Sequence, residues 1–196
     1  MTIANIITFS RLLISPIFLM VYLKYESLGL SLKSMPIVLL LLSALLEFSD
    51  FADGYLARKY SQVTDLGKLL DPMADSIARI TIFLTFTAGI VQLPMILVFI
   101  FLYRDSVVST LRTICALRGY TLAARRSGKI KAVLQASATA CIILLLIPYA
   151  WGKIELDTLR LWSTVAVSIA CIYAVFSLVD YFLANRYYIK KMLYPR

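Results

Sequence analysis

Long apolar runs broken by short polar punctuation organise this chain from end to end. The runs predict six helical spans, at residues 12–28, 35–60, 66–90, 94–119, 129–150 and 158–188. Each is close to or above the ~20 residues that carry a helix across the hydrocarbon of a bilayer. Ahead of the first, residues 2–10 predict a short interfacial helix. The first span is weak, because Lys24 and Glu26 lie near its far end. Residues 29–34 read as a turn, 61–65 and 151–157 as loops, and Pro94 opens the fourth span. A basic loop, Arg125-Arg126-Ser127-Gly128-Lys129, precedes the fifth. The expected fold is an all-α integral membrane protein of six transmembrane helices in a single domain, 1–196.

Composition sharpens that picture. The 196 residues are 61% hydrophobic, and the mean hydropathy is +0.83; that is membrane composition. No internal repeat, low-complexity segment or cleavable leader pattern is visible, since Arg11 interrupts the first apolar run. The net charge is +9 with no histidine. Acid–base work therefore falls to Asp, Glu, Lys or Tyr, and the usual zinc ligand is missing. Cys115, Cys141 and Cys171 are isolated in apolar helices and read as small packing residues. Lysine and arginine placement gives an orientation. With the N-terminus inside, the inner loops and helix ends hold Arg58, Lys59, Lys68, Arg118, Arg125, Arg126, Lys129, Lys131, Arg186, Lys190, Lys191 and Arg196. Only Lys24, Lys33, Lys153 and Arg160 then lie outside. Both termini and the polar motif below fall on the cytoplasmic side of a cell (inner) membrane. No nucleic-acid partner is expected.

The motif is SDFADGYLARKYSQVTDLGKLLDPMADS, with Asp50, Asp53, Asp71 and Asp75 in or beside apolar stretches. An ionised carboxylate in lipid is costly, so several together require metal or cationic partners. Asp50 and Asp53 are three apart, and Asp71 and Asp75 four apart. On helices each pair shares a face. Two such helices facing each other make a four-carboxylate cage for hard divalent cations. Gly54, Ala57 and Gly67 lack bulk, so a nucleotide could approach the backbone there; tight helix packing is the competing reading. Arg58, one turn beyond Gly54, could contact a phosphate or ribose. Glu47, one turn before Asp50, could orient a ligand or pair with Arg79.

The order D-x2-D-G-x2-A-R-x8-G-x3-D-x3-D resembles the signature of the CDP-alcohol phosphatidyltransferase family, and Asp50, Asp53, Gly54, Ala57, Arg58, Gly67, Asp71 and Asp75 fill its fixed positions. The resemblance implies two divalent cations, Mg or Mn, held by the four aspartates. It implies Asp75 as general base on the acceptor hydroxyl, CDP-diacylglycerol as donor, and a homodimer. Asn5, Thr8 and Arg11 are similar to an N-x2-T-x2-R pattern that lies near the nucleotide in many members. Capping and snorkelling would explain the same residues.

A second constellation is basic. Arg104 and Arg112, eight apart and so about 80° apart around one helix, lie inside a span, where arginines are functional candidates. With Lys129 and Lys131 they are expected to hold an acceptor phosphate. Pairing of Arg104 or Arg112 with Asp105 or Asp180 is the alternative. Arg125 and Arg126 read as a solvated loop drawn to anionic headgroups, and Asp180 is given no role. The stretch RDSVVSTLRTICALRGYTLAARRSGKIKAVLQ resembles the phosphatidylglycerophosphate-forming branch of the family. Two residues depart from it: Ser76 stands where lysine is expected, and Ala132 where threonine is common. Arg79 could replace the missing positive charge.

The expected function is transfer of a phosphatidyl group from CDP-diacylglycerol to glycerol 3-phosphate, releasing CMP. Inositol phosphate or another small alcohol is the alternative acceptor. A divalent-cation transporter is the alternative class, although transporter sites usually lie mid-span on broken helices and this motif lies at one face.

Overall fold

A computed structural model of the chain describes residues 3–59, 65–117 and 125–193, with side chains described at 10–49, 72–115, 117, 125–189 and 191. Among the described residues there are six helices and no strand. They are α1 (Ile3–Lys24), α2 (Met35–Lys59), α3 (Asp65–Phe86), α4 (Met95–Leu117), α5 (Arg126–Ala150) and α6 (Leu156–Leu193). Helices α5 and α6 each hold a stretch, Arg126–Ala150 and Leu156–Ile189, long and apolar enough to cross a membrane.

The short helix expected over 2–10 is continuous with the first span, with no break at Arg11. One helix, α1, runs from Ile3 through Arg11 and Pro16 to Lys24. Arg11 does not break it, because its side chain is buried in the bundle. The basic loop is also shorter than expected: Arg126, Ser127, Gly128 and Lys129 already belong to α5.

Local chemistry explains where helices stop. After α1, Leu30 N–H donates to the Tyr25 carbonyl at 2.9 Å and Gly29 N–H to Glu26 at 3.0 Å. This double closure needs a left-handed residue, and Gly29 supplies it at φ 73°. The same closure ends α5, with Lys153 N–H on Pro148, Gly152 N–H on Tyr149 and Gly152 at φ 67°. Ser31 and Ser34 cap the start of α2 reciprocally, each hydroxyl accepting the other's N–H at 3.2 and 3.0 Å. Helix α3 stops at Phe86 rather than near residue 90, because the turn that follows folds back: Leu93 N–H returns to the Phe86 carbonyl at 2.9 Å.

Apolar faces then set the packing. Helix α1 packs on α2 and α3, α5 on α6 and α2, and α4 on α6 and α3. The core joins Phe18, Tyr22, Leu39, Phe83, Phe86, Phe101, Ile142, Leu146, Leu159 and Val167. Phe86 receives Phe18 and Tyr22 edge-on at 5.7 and 5.3 Å. Tyr22 also ties α1 to the α3–α4 turn. Its hydroxyl accepts N–H groups from Ile90 at 3.0 Å and Val91 at 2.9 Å. On the far side from the core, large apolar residues such as Leu41, Phe48, Ile96, Leu161 and Ile172 stay exposed.

Candidate active site

Helix α2 carries Asp50, Asp53, Gly54, Ala57 and Arg58, and α3 carries Gly67, Asp71 and Asp75. Of these, the side chain of Asp75 alone lies among the described residues; those of Asp50, Asp53, Ala57, Arg58 and Asp71, and of Asn5 and Thr8 on α1, lie outside them. Asp75 is half-buried, and its Oδ1 accepts Arg79 Nε at 2.9 Å, one helical turn on. Arg79 Nη1 reaches across to α2, donating to Glu47 Oε1 at 3.0 Å. Of the two roles the sequence left open for Glu47, pairing with Arg79 is the one present. One guanidinium clamps a carboxylate from each motif helix. Among the described residues Asp75 Oδ2 accepts no hydrogen bond, so it remains available to an incoming proton or cation. Carboxylate oxygens, with no histidine in the chain, are the donor chemistry of a hard divalent cation. Among the described side chains alone no group of three or more such ligands forms.

Asp75 opens onto a cavity of about 940 Å³ between α3, α4 and the start of α5. Three of the four basic residues singled out for an acceptor phosphate line it: Arg104, Arg112 and Lys129. The eight-residue spacing along α4 thus does aim both arginines at one space. Arg112 lies with its guanidinium carbon 5.7 Å from the Tyr181 ring centroid, a cation–π distance. Its Nε is buried without a hydrogen-bond partner, and no carboxylate pairs with it among the described residues. Lys129 is exposed at the cavity edge.

Lys131 stands apart from the other three. It is 5% exposed and lies behind the cavity wall. Its Nζ donates to both oxygens of Asp105, at 2.9 and 3.0 Å. Arg104 shares that aspartate, donating from Nη1 to Oδ1 at 2.9 Å. Arg125, partly exposed in the loop just ahead of α5, is more than a solvated residue: it lines the cavity and forms a two-pronged pair with Asp180 at 2.8 and 2.9 Å. Ser127 Oγ donates to the same carboxylate. Asp180, without a role in the sequence reading, therefore anchors the basic end of α5 to α6. Nothing in the sequence marks that pairing, since the partners are 55 residues apart. The described lining sets Arg104, Arg112, Arg125 and Lys129 against Asp75 and Asp105, an excess of positive charge beside a carboxylate. Such a wall suits an anionic small molecule brought next to a proton acceptor. Ser76 and Ala132, the two departures from the resemblance, line the same cavity.

A model of the family described as CDP-alcohol phosphatidyltransferase matches residues 1–182. A protein of Bacillus subtilis named CDP-diacylglycerol–glycerol-3-phosphate 3-phosphatidyltransferase is 31% identical over 182 residues, 88% of this chain and 92% of its own length. A protein of the same name from Rickettsia typhi is 34% identical over 142 residues, 71% of this chain and 75% of its own. A cardiolipin synthase (CMP-forming) of Streptomyces coelicolor is 33% identical over 120 residues, 61% of this chain and 54% of its own.

Proposed function

The chain belongs to the CDP-alcohol phosphatidyltransferase family and is a transferase, and we propose that it moves the phosphatidyl group of CDP-diacylglycerol to glycerol 3-phosphate, giving phosphatidylglycerophosphate and CMP. The observation that carries this reading is the cavity in which Asp75 shares one space with Arg104, Arg112 and Lys129. A base and a phosphate-binding wall are what a phosphorylated alcohol requires. The names of the B. subtilis and R. typhi relatives support the same acceptor.

The chemistry divides among the chain's own residues. Arg112 and Lys129 bind the acceptor's phosphate, and Arg104 backs them. This turns the acceptor hydroxyl toward Asp75. Arg79 holds Asp75 Oδ1, so Oδ2 takes the hydroxyl proton as the oxygen attacks the donor's β-phosphorus, the one bearing diacylglycerol. Asn5, Thr8, Gly54, Ala57, Arg58 and Gly67 hold the nucleotide. Asp50, Asp53, Asp71 and Asp75 would hold two divalent cations, which supply charge neutralisation to the diphosphate and the departing CMP. The protein works in a cell membrane with all six helices embedded and the cavity toward the cytoplasm. It works there as a homodimer. The long helices and the exposed apolar residues around the bundle support that placement. Membership of a transferase family sets aside the cation-transporter reading.

The test is purified protein in detergent or liposomes with CDP-diacylglycerol, Mg or Mn, and a panel of acceptors, reading CMP release. Glycerol 3-phosphate is expected to give the fastest release, with glycerol and serine close to background. Faster release with inositol phosphate would keep the cavity's role and replace the acceptor. Equal use of glycerol and glycerol 3-phosphate would contradict the phosphate wall.

A further inference from the structure

We propose that Asp105 is a positioning residue of the acceptor site, gathering Arg104 from α4 and Lys131 from α5 onto one carboxylate so that Arg104 is presented to the anion at a fixed angle. The inference rests on the phosphate-bearing acceptor proposed above. Arg104, Asp105 and Lys131 are all buried, at 8%, 8% and 5% exposure. Asp105 Oδ1 accepts Arg104 Nη1 and Lys131 Nζ, each at 2.9 Å, and Oδ2 accepts Lys131 Nζ at 3.0 Å. Arg104 Nη2 is fixed from a third helix, donating to Ser177 Oγ at 2.8 Å. Adjacent helical side chains diverge by about 100°, so an Arg–Asp pair at consecutive positions does not close by default. Here it closes because Lys131 holds the carboxylate from the other side.

The charge balance gives this arrangement its use. A carboxylate in the wall of a phosphate site would repel the ligand if it stood alone. Asp105 instead shares two cations, so the cluster keeps a net positive charge, and Arg104 is the member of it that lines the cavity with Asp105. Without the carboxylate, two like charges would face each other in a poorly screened interior. Arg104 would then turn away from its present direction. The positive charge would persist but no longer in register with Arg112.

Three variants test this with kinetics against both substrates. Asp105→Asn is expected to raise the KM for glycerol 3-phosphate about tenfold, equivalent to about 1.4 kcal/mol. The KM for CDP-diacylglycerol should stay unchanged, and competitive inhibition by inorganic phosphate should weaken in parallel. Asp105→Glu should recover part of the loss. Ser177→Ala, which leaves the buried charges in place, should raise the same KM about threefold. If Asp105→Asn does not fold, Asp105→Glu, which keeps the charge but moves the carboxylate, decides by the same criteria. A folded Asp105→Asn with an unchanged or lower acceptor KM would overturn the inference. So would equal losses against both substrates, the mark of a purely structural tie. Preference of the wild type for an uncharged acceptor would instead overturn the acceptor reading, and this inference with it.

Discussion

Asp75 and Arg112 differ in what holds them, and that difference separates their expected phenotypes. Asp75 is steered by Arg79 through one oxygen. Removing its charge in Asp75→Asn should lower kcat by roughly 10²- to 10⁴-fold, the range for loss of a general base, while CDP-diacylglycerol still binds. Joint loss of turnover and donor binding, no greater than for Asp71→Asn, would make Asp75 a ligand only. Arg112 has a ring beneath it and no described carboxylate partner. Arg112→Ala should raise the acceptor KM roughly 10- to 100-fold, as loss of ~1.4–3 kcal/mol implies. Arg125→Ala should raise it much less, because both oxygens of Asp180 are paired with that guanidinium, whereas the carboxylate that holds Arg104 is shared with Lys131. The sequence singles out Arg104 and Arg112 as charges inside an apolar run, and the alternative it offers, pairing with Asp105, is the one Arg104 adopts. It could not separate Lys129 from Lys131. Two residues apart on one helix, they point in different directions, and only the partner across the gap, Asp105, shows which one is occupied.

At the scale of elements, the apolar runs match the six helices of the described residues, two of which are long and apolar enough to cross a membrane, and the differences lie at ends and joins. Hydropathy cannot see a glycine closure or a fold-back hydrogen bond, which is why the apolar pattern runs on past Phe86 while the helix stops there. Nor does it show that a buried arginine can sit within a helix, as Arg11 does. The α3–α4 turn shows what such local bonds are worth. Tyr22→Phe leaves the amides of Ile90 and Val91 without their acceptor. A cost of about 1–3 kcal/mol is expected, read as a lower thermal midpoint with unchanged KM values. Gly89→Ala should destabilise as well. Gly89 sits at φ 64°, and a Cβ there would lie 2.9 Å from the Tyr22 ring. An unaltered midpoint in both variants would show that this turn is not a clasp.

For the whole molecule, the bundle brings Asp75 of α3 to the same cavity as Arg104 and Arg112 of α4 and Lys129 of α5. The proposed reaction uses both, a proton acceptor and an anion-binding wall. The motif was readable because it is local, whereas the wall is assembled from residues between 104 and 129 and could only be guessed from charge. Because the proposed ligands are carboxylates, activity should vanish with EDTA and return with Mg or Mn. Full turnover in chelator would exclude the cation-dependent reaction. The central claim is that the acceptor's oxygen attacks within this cavity and the acceptor leaves as lipid. The most direct test supplies labelled glycerol 3-phosphate and CDP-diacylglycerol to wild type and Arg112→Ala and follows the label into the organic phase alongside CMP. The account predicts one labelled lipid per CMP in the wild type, with the variant recovering only at high acceptor concentration. CMP release with the label left in the aqueous phase, or an unaffected variant, would contradict it.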